Sequence, residues 1–331
     1  MQYPYPLLNP PPFVWTKDEN NPNPKVHEWI QDLSHQQGAI DWDHFDVAIM
    51  GIPLSRSSIS ASSASENPDA IRRAWKSFYP YNLEHDVDLT ELNVVDLGDV
   101  RQHVTDIAQC HQNITDAMAA QQTHHPNVFP LTIGGDHSIT AMLVKGWKEV
   151  HPDQEVGILQ LDTHFDLRSL EEFGPANGTP IRNLIESGTV QGSNVHNIGL
   201  HGFFNSKSLK DYADHVGLHY KTVRDVRKEG IDSIVKDALD QLSKKVDVIY
   251  LTVDMDVLDM SGAPGVPAST PGGLWTSELF EAVHLAGQHP SVKAMDLVCL
   301  DPVKDVAQMT VKTGVHVMLS FLTGYSQRKN A

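Results

Sequence analysis

The sequence is poor in cysteine, in basic side chains and in long apolar runs, and each shortage removes a class of protein. Its two cysteines, Cys110 and Cys299, stand far apart and in no metal-ligand spacing. That excludes a disulfide scaffold and reads as two reduced, buried thiols. Lys and Arg number 25 against 42 Asp and Glu, a net charge of −17. Such a surface disfavours nucleic acid or an anionic membrane as partner. No apolar run approaches the roughly 20 residues that span a bilayer. The first residues, MQYPYPLLNPPPFVW, have neither the basic nor the apolar region of a secretory leader. The expectation is a soluble, cytoplasmic globular protein, its core built from ample Leu, Val and Ile.

What is present is an alternation. Residues 1–45 read as an extension, because Pro10, Pro11, Pro12, Pro22 and Pro24 resist helix and central strand. KVHEWIQDL within it suits one short helix. Residues 46–331 read as a single domain. Short apolar runs occur at 45–52, 92–99, 127–135, 155–162, 194–200, 246–254 and 292–300. Between them lie helix-length segments such as NPDAIRRAWKSF, SITAMLVKGWKEV and TSELFEAVHLAGQ, and GVHVMLSFLTGY follows the last run. Fully apolar, Val/Ile-rich strands alternating with helices indicate an α/β fold with a parallel sheet covered on both faces. Ligands of such sheets bind beyond the strands' carboxyl ends. The chemistry-bearing residues should therefore follow the apolar runs.

Three stretches do so. In LQLDTHFDLR, Asp162, His164 and Asp166 stand at alternate positions after an apolar run. If the strand continues to Asp166, all three face one side. Carboxylates placed together in a dry crevice repel one another and lose solvation, and a bound cation removes both penalties. YLTVDMDVLD ends in Asp254 and Asp256, again two apart, and LTIGGDHS places His137 after a Gly-Gly turn. Taken alone, each has a plain reading as a polar loop. Together they form a pool of six donors, four of them carboxylates, too many for one tetrahedral zinc. The pool suits two divalent ions about 3.5–4 Å apart, with a bridging hydroxide as nucleophile. Oxygen-rich donors with two imidazoles favour Mn²⁺, leaving Fe²⁺, Zn²⁺ and Co²⁺ open.

The motifs GGDHS, DTHFD and DMDVLD, with GIPLS (51–55), NPDAIR (67–72) and VDLGDV (95–100), resemble the ureohydrolase superfamily of arginase, agmatinase and formimidoylglutamase over roughly residues 45–325. The resemblance implies a three-layer α/β/α fold with a central, mostly parallel sheet. It implies two Mn²⁺ per subunit, hydrolysis of a C–N bond in an amidino or guanidino group, and a trimer or hexamer. Carried over by position, His137, Asp162, Asp166 and Asp254 serve one ion. His164 and Asp256 complete the second, with Asp162 and Asp254 shared. Asp166 also accepts a hydrogen bond from the bridging hydroxide. Glu278, in GGLWTSE (272–278), fits the family's glutamate that pairs with the cationic amidinium, although it also suits a first helical turn.

The loop EEFGPANGTPIRNL (171–184) resembles the family's substrate loop. Asn177 stands where arginases and agmatinases place a histidine, which is closer to the formimidoylglutamase branch. That branch implies hydrolysis of N-formimidoyl-L-glutamate to L-glutamate and formamide. A substrate with two carboxylates calls for cationic partners: Arg182 first, then Arg56, then Arg168. Each reads equally well as a surface ion pair. Three other readings stand beside this one. They are an agmatinase or guanidino-acid hydrolase releasing urea, a one-zinc deacylase, and a metal-stabilised scaffold without activity.

Overall fold

A computed structural model describes residues 7–18, 20–33 and 40–328. Twelve strands run in chain order: β1 (Leu8–Asn9), β2 (Gln31–Asp32), β3 (Val47–Gly51), β4 (Tyr81–Asn82), β5 (Val87–Asp88), β6 (Val94–Val100), β7 (Phe129–Ile133), β8 (Val156–Leu161), β9 (Val195–Leu200), β10 (His219–Thr222), β11 (Val248–Asp254) and β12 (Val292–Val298). Strands β4 and β5 form a small hairpin. The other ten make one sheet in the order β1-β6-β3-β7-β12-β11-β8-β9-β10, with β2 also paired to β6. Every pairing in that sheet is parallel except β1 against β6.

Successive side chains of a strand face opposite ways, and here both faces are dry. On β11, Ile249, Leu251 and Val253 enter one apolar core while Val248 and Tyr250 enter the other. The helices 231–243, 276–288 and 309–327 cover the first face, and 107–124 and 138–150 cover the second. The arrangement is the expected α/β/α sandwich with a mostly parallel sheet. Each apolar run of the sequence contains a strand. The edge strands β1, β2 and β10 carry no such signal: they are two to four residues long, and the sheet edge they complete supplies their reason to be extended. KVHEWIQDL gives only one turn, Val26–Trp29, before the chain turns extended and pairs as β2.

Four neighbouring strands, β7, β12, β11 and β8, set up the site. Their register aligns Leu297 with Ile133, Val298 with Asp254 and Leu161 with Val253. The chain segments that leave these strands therefore emerge side by side at one edge, although they are distant in sequence.

Candidate metal centre

Strand β8 stops at Leu161, so the alternation expected through Asp166 does not exist. Asp162, His164 and Asp166 converge by a tight loop instead. Asp166 adopts the left-handed conformation, φ 55°, which is unusual for a residue with a side chain. Its carbonyl accepts the Arg182 backbone N–H at 3.1 Å, and Asn205 ties down the Thr163–Phe165 stretch through Thr163 O and the Phe165 N–H. Asp254 closes β11, and Asp256 follows in a 3-10 turn whose N–H donates to Asp254 Oδ1 at 2.9 Å. His137 arrives on the turn after β7. There Gly135 is needed, because a Cβ would lie 1.7 Å from the Leu54 carbonyl oxygen. Asp136 stays out of the centre: it is buried and accepts the Ser57 and Ser138 N–H groups.

All six predicted donors come together. His137 Nδ1 lies 3.2 Å from Asp162 Oδ2, 2.8 Å from Asp166 Oδ2 and 3.1 Å from Asp254 Oδ2. His164 Nδ1 lies 3.6 Å from Asp162 Oδ1 and 3.0 Å from Asp256 Oδ2. Asp162 thus gives one oxygen to each cluster. Behind this ring, His137 Nε2 meets Thr252 Oγ1 at 2.9 Å, and Thr252 donates to the buried carboxylate of Asp296 at 2.6 Å. Gln160 donates to Asp162 at 2.7 Å. Such outer partners fix the tautomer and aim the donors.

The electrostatics fit a cation. Burial works against protonation of His137, but Asp166 and its neighbours overcome it and hold the imidazole pKa well above the usual value. His164 is pushed up to about 12 against its own burial, by Asp256 and Asp162. Burial, then the charge of Asp162, pushes Asp166 up to about 7. Burial and Asp254 hold Asp256 well above the carboxylate range. For Asp162, burial is outweighed by His137 and His164, which hold it below that range. Protons shared in this way occupy places that divalent cations can take. His137 Nδ1 and Asp166 Oδ2, both buried, have no hydrogen-bond partner among the described residues, as donors reserved for an ion would not.

A cavity of about 180 Å³ opens beside the centre, lined by His164, Asp166, Asp254 and Asp256 on one wall and by Ile59, Ser60, Arg168, Asn177 and Gly178 on another. Asn177 Oδ1 accepts the Ile59 N–H at 2.8 Å, which joins the 56–60 segment to the substrate-like loop. Three predictions need correction. Glu278 does not face the cavity: it caps its own helix by accepting the Trp275 N–H at 2.8 Å and pairs with Arg227, so the helix-start reading holds. Arg182 points away along its helix, paired with Glu186 and stacked over Tyr212 at 3.6 Å. Arg56 is held by the carbonyls of His103 and Val104. The arginine in the cavity wall is Arg168, ranked last from sequence. It forms no ion pair among the described residues, and its guanidinium lies 5.4 Å from the Phe173 ring. Its signal was position, two residues beyond Asp166. Cys299, expected from the sequence to be a buried thiol outside any ligand spacing, is buried as expected but follows β12 at the same edge.

Fold and site together define a class. The Arginase family matches residues 45–324, and the chain belongs to that family. The formimidoylglutamase of Halalkalibacterium halodurans is 41% identical over 276 residues, 83% of this chain and 86% of the relative. The crystal structure of Bacillus subtilis formimidoylglutamase superposes with a TM-score of 0.86 at 36% identity, covering 97% of each chain. A variant of Trypanosoma cruzi formiminoglutamase solved with Mn²⁺ superposes with a TM-score of 0.82 at 25% identity, covering 92% of this chain and 99% of that one.

Proposed function

We propose that this protein is a dimanganese hydrolase that converts N-formimidoyl-L-glutamate and water to L-glutamate and formamide. The observation that carries the reading is the convergence of the ring nitrogens and carboxylates of His137, Asp162, His164, Asp166, Asp254 and Asp256 on one another, beside a cavity with Arg168 in its lining. The similarity to proteins named formimidoylglutamase supports the choice of substrate. His137, Asp162, Asp166 and Asp254 would hold one Mn²⁺, and Asp162, His164, Asp254 and Asp256 the other. When bound, the pair supplies Lewis-acid stabilisation and lowers the pKa of water to the neutral range.

The chain's own groups do the rest. Arg168 clamps a substrate carboxylate by charge-assisted hydrogen bonds, and Asn177 shapes the same wall. The clamp holds the formimino carbon over the centre, so that attack needs no further search. Asp166 Oδ2 accepts the proton of the attacking water and returns it to the glutamate nitrogen. The C–N bond to glutamate then breaks and formamide departs. The agmatinase and guanidino-acid readings take second place.

Residues 1–45 serve as an extension of the catalytic domain 46–331. The family match begins at residue 45, and β1 and β2 only lengthen the sheet beyond β6. Among the described residues no helix is long and apolar enough to cross a membrane. The protein works in the cytoplasm as a trimer or hexamer, for which exposed Phe203, Trp275 and Val303 offer surface to cover. Light scattering on the purified chain tests the assembly. The direct test of function is formamide release from N-formimidoyl-L-glutamate by manganese-loaded protein. Release of urea from 4-guanidinobutanoate, with no formamide, would replace this reading by the guanidino-acid one.

A further inference from the structure

Among the described residues, Cys299 is the one candidate donor at the centre that the hydrolytic reading leaves unused. Its thiol is buried, 3% exposed, directly after β12. Its Sγ, an imidazole nitrogen of His137 and a carboxylate oxygen of Asp254 all lie within 4.8 Å of one another. Bonds of about 2.0–2.3 Å place the donors of a tetrahedral site roughly 3.3–3.8 Å apart, so the three need to close by no more than about 1.5 Å to share one ion. Two further observations fix Cys299 at this edge. Cys299 adopts the left-handed conformation, φ 61°, and its N–H donates to Gly135 O at 2.8 Å, which clamps it against the turn that carries His137. A side chain held in a rare backbone conformation beside a donor cluster is over-determined by its surroundings. His137 Nδ1, fully buried and without a hydrogen-bond partner among the described residues, lies 3.1 Å from the Asp254 carboxylate.

We propose that Cys299, His137 and Asp254 form a second, thiophilic coordination mode of the centre, which captures Zn²⁺ or Cd²⁺ in competition with manganese. The proposal rests on the reading of His137 and Asp254 as metal ligands. Thiolate sulfur selects zinc-type ions, whereas Mn²⁺ prefers the carboxylate oxygens around it. Cys sulfur, His nitrogen and Asp oxygen are each zinc ligands, and water can complete a tetrahedral set of the three. Capture releases the thiol proton to solvent. It also draws His137 and Asp254 out of the manganese arrangement, so zinc acts as an inhibitor through the same residues that hold the working metal.

The test is a titration of the metal-free full chain with Co²⁺ and Cd²⁺, read by sulfur-to-metal charge-transfer absorption in the ultraviolet. The wild-type protein should develop the band. Cys110→Ser should keep it, because Cys110 is engaged with His103 and Arg56 away from the donors. Cys299→Ser should lose it and bind Cd²⁺ more weakly by at least about 10- to 100-fold, the loss typical of even an outer-shell partner. Bound Co²⁺ or Cd²⁺ without a band in the wild-type protein would overturn the proposal, whatever the variants do. A band that survives Cys299→Ser would overturn it as well. Failure of Mn²⁺, Co²⁺ and Cd²⁺ alike to bind in equilibrium dialysis would instead remove the metal-centre reading on which it rests.

Discussion

Two clusters of buried charge sit on the same sheet, and the chain satisfies only one of them. In the first, Arg72 is 2% exposed and spends its guanidinium on Asp96 at 2.7 and 2.9 Å and on Asp99 at 2.6 Å. Gly51 makes room for it, since a Cβ there would lie 1.9 Å from Asp99 Oδ1. In the second, four aspartates and two histidines face one another with no lysine or arginine among them, and two of their atoms are left unpartnered. Burial alone therefore does not mark a functional site. A cluster whose cation is fully hydrogen-bonded to its acids holds the fold together, whereas one that leaves buried donor atoms without hydrogen bonds is waiting for something to bind.

The contrast can be broken at either end. The largest effect belongs to the open cluster. Asp162→Asn removes the carboxylate that faces both halves, so formamide release should fall at least about 100-fold together with the bound metal. Two ions retained, with activity intact, would refute the assigned ligands. In the closed cluster, Arg72→Met strands two buried carboxylates. Stability should fall by about 3–5 kcal/mol in denaturant titrations, while the folded fraction keeps its metal. Metal loss without destabilisation would show that the two clusters are not separate.

The cavity wall comes next. Arg168→Ala should raise KM for N-formimidoyl-L-glutamate by about 10- to 100-fold, the worth of a charged hydrogen bond. Arg182→Ala and Arg56→Ala should leave it near wild type, and the reverse ranking would return the clamp to the helix.

Acidity sharpens the comparison further. Asp166, pushed up to about 7, and Asp136, pushed up to about 6 chiefly by burial, both rise from 3.8. Their protonated folded forms contribute stability that is complete below about pH 4 and is lost as pH rises through 6 to 7. His164, raised from 6.5, acts in the same direction above that range, and Asp162 stays ionised in both states across it. His111, His125, His196 and His284, held down to about 4 chiefly by burial, act the other way over the same window, so the expected outcome is a difference: the Tm advantage of chelator-treated wild-type protein over Asp166→Asn should shrink between about pH 4 and 7. A difference that grows over this window would contradict the assignment of Asp166. The smallest effect is Glu278→Ala. Loss of the cap on the Trp275 N–H and of the pair with Arg227 should cost about 0.5–2 kcal/mol and leave kcat unchanged.

The sequence by itself determined the sheet's inner strands, the helices that cover it and the six candidate donors that the structure brings together. Those features are local: an apolar run needs no partner to be recognised, and the donors stand within a few residues of where each run ends. It mistook the means of convergence, because strand alternation fits Asp162, His164 and Asp166 as well as the loop with Asp166 at φ 55° that the structure uses. Only the tertiary structure decided which charges face the cavity. Arg182, Arg56 and Glu278 have the right chemistry in the right segments, but Glu186, the carbonyls of His103 and Val104, and Arg227 with the helix start claim them. Arg168 is left over: it lines the cavity and forms no ion pair among the described residues. Side-chain direction and partners are set by neighbours distant in sequence, which is also why Cys299, an isolated thiol by spacing, stands beside His137 and Asp254.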